Sequence, residues 1–173
     1  GVDAVAVDYF GDRDLRRAVR TLSLRRDAGA DAYSASGLVE LADDVSAPET
    51  AYAADLENHP SLVGRLCRGR LLLGNPPEVL RAARDPRLLA RVLEEEGLPT
   101  PRVRPAGDTP SPTDGPPVWL RKPLRSGGGR GILPWRPGDT PAEGEYLQEW
   151  IRGEPVSVLF LAGFIAFFRS ERF

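Results

Sequence analysis

The 173-residue sequence contains no methionine, one cysteine, one histidine and one lysine. Cys67 by itself excludes an internal disulfide. With no Cys/His pairing around it, it reads as a buried, inert thiol of a cytoplasmic protein. His59 stands directly before Pro60, the setting of a turn residue rather than of a catalytic imidazole. Methionine is missing even at position 1, so we expect the chain to start after processing or part-way into its gene. Long apolar runs are missing too: the longest uncharged one, residues 156–168, is too short to span a bilayer and is interrupted by Gly163, so no membrane or signal segment is expected. Nor is there an excess of either charge, with 23 basic against 25 acidic residues. The arginines are scattered through helical stretches, which is no electrostatic footprint for nucleic acid.

Several stretches carry clear local signals. Residues 2–8 alternate as a β-strand, and Leu15, Ala18, Val19 and Leu22 then share one helical face behind Asp12 as N-cap, which predicts a β-α unit. Asp8 at the strand end reads as a loop residue, because no glycine-rich turn precedes it. Residues 23–48 show no motif. Leu71-Leu72-Leu73 reads as a buried strand closed by Gly74-Asn75. Two helices follow, the first opened by Pro76-Pro77. The second is capped by Asp85, has Pro86 in its first turn, and ends at Gly97. Leu88, Leu89, Val92 and Leu93 are its expected buried face, and Glu94-Glu95-Glu96 its solvated end. The proline-rich residues 104–117 predict a linker and a subdomain boundary.

The one lysine, Lys122, stands among 22 arginines at the end of a predicted strand, Val118-Trp119-Leu120-Arg121-Lys122, and immediately before Pro123. Lysine presents a compact point charge where arginine presents a planar fork, so the two are not interchangeable against a closely approached phosphate. Ser126-Gly127-Gly128-Gly129-Arg130-Gly131 follow. Such a run by itself is more often a flexible turn. Next to Lys122, however, its backbone N–H groups can approach phosphate oxygens that a Cβ would hold away, and Ser126 adds a hydroxyl. The order is not that of a Walker loop, in which the lysine follows the glycines and opens a helix. About 25 residues further on, Tyr146-Leu147-Gln148-Glu149-Trp150-Ile151-Arg152-Gly153-Glu154 reads as a strand reaching an exposed turn, after which a new strand resumes.

Together these two elements resemble the ATP-grasp superfamily, in which a strand bearing Lys-Pro runs into a Ser/Gly-rich loop and a later segment holds adenine. Gly97 to Pro101 is similar to the stretch that precedes the Lys-Pro strand in these enzymes. Leu56 to Pro60, Leu73-Gly74-Asn75, Arg84-Asp85-Pro86 and Trp119 to Leu124 resemble, more narrowly, the predicted ATP-dependent carboligase branch, which includes tyramine-glutamate ligase. The resemblance implies an α/β (α+β) fold: a Rossmann-like pre-ATP-grasp domain over residues 1–75, then a partial ATP-grasp module over residues 76–173 with a nucleotide-lid subdomain at about 116–152. By position, Lys122 would bind the α/β-phosphates, and Ser126, Gly127, Gly128, Gly129, Arg130 and Gly131 would form the lid. Glu149, Trp150 and Ile151 would lie along adenine, largely through backbone groups, with Gln148 reaching the exocyclic amine and Glu154 the ribose.

The implied reaction is ATP-dependent carboxylate-amine ligation through an acylphosphate, with ATP and Mg²⁺ as cofactors and small carboxylates and amines as substrates. Nucleic acid and membrane are not expected as partners, and a homodimer is a candidate assembly. Where many family members carry a further lysine in the second helix, this chain has Pro86, so Arg87 or Arg91 would substitute or the contact would be absent. The family's metal carboxylates lie downstream of the adenine segment. We therefore expect them beyond Phe173 and the first β-α unit ahead of Gly1, as in a fragment of a larger enzyme, and assign no catalytic residue or metal ligand within the chain. The alternatives from other classes are a non-catalytic ATP-binding or interaction module and a kinase-like phosphotransferase.

Overall fold

The computed structural model describes residues 3–110, 118–154, 156–161 and 164–169. Strand β1 (Val5–Asp8) leads through helix α1 (Arg13–Ala18) to its parallel partner β2 (Arg20–Ser23). The helical pattern read as far as Leu22 therefore stops at Ala18, and Leu22 pairs with Val7 in the ladder. Val19 and Thr21 are β-branched and favour extended backbone, and a short apolar spacing serves strand or helix equally. Asp12 precedes α1 but makes no side-chain cap bond. Asp8 closes the turn instead, its Oδ2 accepting from the Gly11 N–H at 2.7 Å. Gly11 has φ +60°, and a Cβ there would lie 2.7 Å from that of Ser23, so only glycine fits the crossing.

Helix α2 (Ala35–Asp43) forms in the stretch where no motif was legible. Ser34 caps it, its Oγ accepting from the Gly37 N–H at 3.1 Å, and Ala35, Val39 and Ala42 are buried. With alanines carrying two of those three positions, the apolar face shows little contrast in the sequence. These residues pack against Leu56 of a 3-10 turn (Ala54–Asn58), Val63 and Leu66 of α3 (Pro60–Leu66), and Leu80 of α4 (Pro77–Ala83). Arg70 ties the layer together: its guanidinium donates to the carbonyls of Ala42, Val45 and Leu66, satisfying acceptors at the C-terminal ends of α2 and α3. Strand β3 (Glu49–Thr50) pairs in parallel with β4 (Leu71–Leu72). The expected burial of Leu71 to Leu73 is corrected here. Leu71 is 60% and Leu73 54% exposed, and only Leu72 turns onto the core, as strand alternation demands.

Helix α5 (Pro86–Glu95) begins as its sequence requires, with Asp85 Oδ1 accepting from the N–H groups of Arg87 and Leu88 at 2.9 and 3.2 Å. It ends in a Schellman turn: Gly97 takes φ +70° and the Leu98 N–H returns to the Leu93 carbonyl at 2.8 Å. No residue of α5 is fully buried, and Leu89 is 48% exposed, so its apolar face is not the core face expected. That face instead borders the cleft described below. Strands β5 (Val103–Pro105), β6 (Trp119–Pro123), β7 (Leu133–Pro134) and β8 (Glu145–Glu149) form an antiparallel sheet in the order β5-β8-β6-β7. β5 takes up the start of the stretch read as a linker, and residues 111–117 of that stretch lie outside the described residues. β9 (Val156–Leu161) and β10 (Phe164–Arg169) form a separate hairpin. The fold is thus a mixed one, parallel β-α units followed by an antiparallel sheet carrying the lysine strand.

Candidate nucleotide-binding site

Strand alternation sorts the sheet residues into two faces. Lys122 of β6 is opposite Tyr146 of β8, and Leu120 is opposite Gln148, so these four side chains share one face. Trp119, Leu147 and Glu149 belong to the other. On the first face, Lys122 Nζ donates to Gln148 Oε1 at 3.0 Å and lies 5.9 Å from the centre of the Tyr146 ring. No carboxylate pairs with this ammonium among the contacts described. Burial lowers the Lys122 pKa and raises that of the Tyr146 phenol, the latter against an opposing pull from Arg84. A partly desolvated cation whose hydrogen-bond partner among the described residues is a neutral amide is ready to receive an anion.

The second face is closed. Leu147 is fully buried, and the Trp119 ring has the guanidinium carbons of Arg102 and Arg104 5.4 and 5.3 Å from its centre. Glu149 Oε2 accepts from the backbone N–H and Nε of Arg102 at 3.2 and 3.1 Å, so its side chain is turned away from Lys122.

Lys122 and Gln148 open into a cleft of about 440 Å³, bounded on the sheet side by Tyr146 and Ser126 to Gly129 and across from them by Leu89 and Leu93 of α5. The loop over its mouth is pinned at its neck, where Ser126 Oγ donates to the Arg130 carbonyl at 2.5 Å and the Arg130 N–H returns to the Gly127 carbonyl at 3.2 Å. Gly128 and Gly129 have φ of +59° and +73°, a backbone that favours glycine and leaves no Cβ over the opening. Gly131 has φ +77°, and a Cβ there would lie 2.9 Å from Pro123 Cγ, so its glycine is required by packing against the base of the loop.

Of the residues singled out in the sequence, Lys122, Ser126, Gly127, Gly128, Gly129 and Gln148 meet at this cleft. Arg130 and Gly131 form the returning limb of the loop. Trp150 and Ile151 are exposed just beyond β8, and Glu154 is exposed on the way to β9. The N–H groups of Glu149 and Trp150 are already engaged, donating to the carbonyls of Arg102 and Val118 at 2.9 and 2.8 Å.

Three contributors were not predicted. Tyr146 is two residues before Gln148 and could have been found from strand alternation alone. Arg84 lines the cleft together with Pro86, while Arg87 does not line it and Arg91 pairs with Glu95 on the surface at 3.7 Å. Of these arginines, Arg84 is thus the one that borders the cleft. Asn58, 4% exposed, accepts from Arg84 Nη2. A larger cavity of about 850 Å³ lies between β1 and β3, and shares no lining residue with the lysine cleft. Its walls are mainly apolar, so size by itself would direct attention away from the phosphate-type chemistry.

Comparison with known proteins agrees with this geometry. Residues 83–168 match the ATP-grasp domain, a span that takes in α5, the lysine strand, the glycine loop and β8. No curated protein matches the chain in sequence. Among solved structures, the chain is similar to a variant of Rhizobium etli pyruvate carboxylase with the allosteric activator acetyl coenzyme A. The TM-score is 0.66 at 16% identity, over 87% of this chain and 16% of that one. It is also similar to N5-carboxyaminoimidazole ribonucleotide synthetase from Thermotoga maritima, with a TM-score of 0.57 at 15% identity over 89% of this chain and 41% of that one. This chain thus spans less than half the length of either protein. At such identities the likeness concerns the fold alone, and the sequence match to the ATP-grasp domain covers residues 83–168.

Proposed function

We propose that this chain binds Mg-ATP at the lysine cleft, as part of a ligase that joins a carboxylate to an amine. The observation that carries the reading is the meeting of the one lysine, which donates to Gln148, and the glycine loop at a single opening. In this reading Lys122 neutralises the α/β-phosphates, and Ser126 to Gly131 cover them with a hydroxyl and backbone N–H donors. Glu149, Trp150 and Ile151 run along adenine, Gln148 reaches its exocyclic amine, and Glu154 accepts from the ribose. The Glu149 side chain is committed to Arg102, so any contact from this residue would come from its backbone. Residues 1–75 act as a pre-ATP-grasp domain and residues 76–173 as part of the grasp module, with the lid at about 116–152. The narrower assignment is the carboligase branch that includes tyramine-glutamate ligase.

The reaction proposed begins with attack of a carboxylate oxygen on the γ-phosphorus. ADP leaves with the electrons of the broken P–O bond, and an amine then displaces phosphate from the acylphosphate. Such chemistry depends on positioning and charge neutralisation, which a lysine and a glycine loop supply. Mg²⁺ accompanies the nucleotide in this reading and no step is assigned to it; among the described residues no three His, Cys, Asp or Glu side chains converge as a metal site.

Calorimetric titration with Mg-ATP, with GTP and AMP as controls, tests the reading. Lys122→Ala should cost roughly 1.5 to 3 kcal/mol of binding, about one to two decades of affinity. Equal binding by parent and variant would remove Lys122 from the site. In a turnover assay, release of ADP and phosphate that needs both carboxylate and amine marks a ligase. ADP without phosphate marks a kinase.

A further inference from the structure

We propose that Arg84 is a positioning residue for the glycine loop, and that Asn58 and Asp55 of the N-terminal unit hold it in register. The consequence for ATP rests on the nucleotide reading above, but the loop contact itself does not. Arg84 Nη2 donates to the backbone carbonyl of Ser126 at 2.6 Å and also to Asn58 Oδ1. Ser126 is the neck of the loop, since its own hydroxyl is bonded to the Arg130 carbonyl. One guanidinium therefore ties the start of the loop to a buried side chain contributed by the other half of the chain.

Asn58 is itself oriented. Its Nδ2 donates to Asp55 Oδ1 at 2.7 Å, and the other oxygen of Asp55 faces His59 Nε2 at 3.2 Å. Turning the Asn58 amide over would set donor against donor at Arg84 and acceptor against acceptor at Asp55, so the two bonds fix one orientation. The polar chain Asp55–Asn58–Arg84–Ser126 gives a role to Asp55 and Asn58 of the 3-10 turn. Arg84 also borders both the lysine cleft and a second cavity, of about 500 Å³, on the Asn58 side, so it stands in the wall between them. It acts on the loop through a main-chain carbonyl, without needing to touch a phosphate.

Trypsin supplies a direct readout, because Arg125 and Arg130 are exposed in and beside the loop and Arg68 is exposed in the N-terminal unit. Cleavage after Arg125 and Arg130, measured relative to cleavage after Arg68, should accelerate about tenfold in Arg84→Met and in Asn58→Leu. The double variant should be no faster than Arg84→Met, because both break one chain of contacts. Asp55→Ala, at a partly exposed position, should move the ratio in the same direction and covers the case in which Asn58→Leu fails to fold. Unchanged loop cleavage in Arg84→Met overturns the proposal.

In the ATP arm, Arg84→Met and Asn58→Leu should each weaken Mg-ATP about tenfold and leave adenosine unaffected. If Arg84→Met weakens ATP and Asn58→Leu and Asp55→Ala do not, Arg84 touches the nucleotide directly and the positioning role is wrong. Absence of ATP binding by the parent would refute the nucleotide reading, and the cleavage ratio would still decide the role of Arg84.

Discussion

Val39, Val63 and Leu66 are almost without solvent contact, whereas Gly127 to Gly131 are all exposed. The first group belongs to a core where apolar side chains from four helical elements interdigitate, and no single one is needed for chemistry. The second belongs to the mouth of a cleft, where the glycines present backbone without side chains beside the Lys122 ammonium and the Gln148 amide. Burial stabilises the first region. The second is shaped by left-handed glycines and by two polar ties, Ser126 to Arg130 and Arg84 to Ser126. The lesson is that the scaffold tolerates exchange of similar apolar residues, while the cleft depends on particular groups at particular backbone angles.

The contrast is broken most severely by emptying the layer beneath the cleft. Leu147→Ala removes a fully buried side chain from the central strand of the sheet and should cost about 2 to 5 kcal/mol in urea unfolding. Loss below 1 kcal/mol would mean that the sheet is not packed on that face.

Glycine substitutions sharpen the comparison within the loop. Gly131→Ala meets both an unfavourable φ and Pro123, and should cost roughly 1 to 2 kcal/mol of loop stability. Gly127→Ala, at a position with open space and no positive φ, should leave thermal stability near parental. Identical behaviour of the two variants would contradict the loop geometry.

Asp85→Ala removes the cap of α5 and should lower stability by about 1 kcal/mol, read from denaturant midpoints at constant slope.

The smallest effect is electrostatic. Burial lowers the Lys122 pKa, and phosphate binding favours the ammonium, so ATP affinity should decline as pH rises through a range below lysine's ordinary one, while adenosine affinity stays level. The sign for folding is the reverse. With the folded pKa below the unfolded value, charged Lys122 opposes folding at neutral pH, and this opposition fades as pH rises above the folded pKa. Lys122→Met should therefore bind ATP poorly without any loss of melting temperature. A flat affinity profile up to the ordinary lysine range would show that the ammonium is not desolvated.

Legibility followed how local the physics was. Asp85, Pro86 and Gly97 act through bonds within one turn, so the start and end of α5 could be read directly. Lys122 and its loop were legible because a unique charge beside a run of glycines has few structural uses. Helix α2 was hidden, since alanines serve its core positions and its stability comes from α3 and α4 packing against it. The end of α1 was misread because Leu22 serves a parallel strand as well as a helix, and its pairing partner Val7 lies fifteen residues away along the chain.

From the amino acids themselves came the mixed α/β character and the strand-loop order of the candidate site, both properties of short segments. Tertiary structure alone decided that Gln148 faces Lys122 while Glu149 turns to Arg102. It also decided which of 22 arginines reaches the loop and that Asn58 orients it. Those outcomes depend on sheet register and on contacts between residues as much as 47 positions apart, which no local pattern encodes.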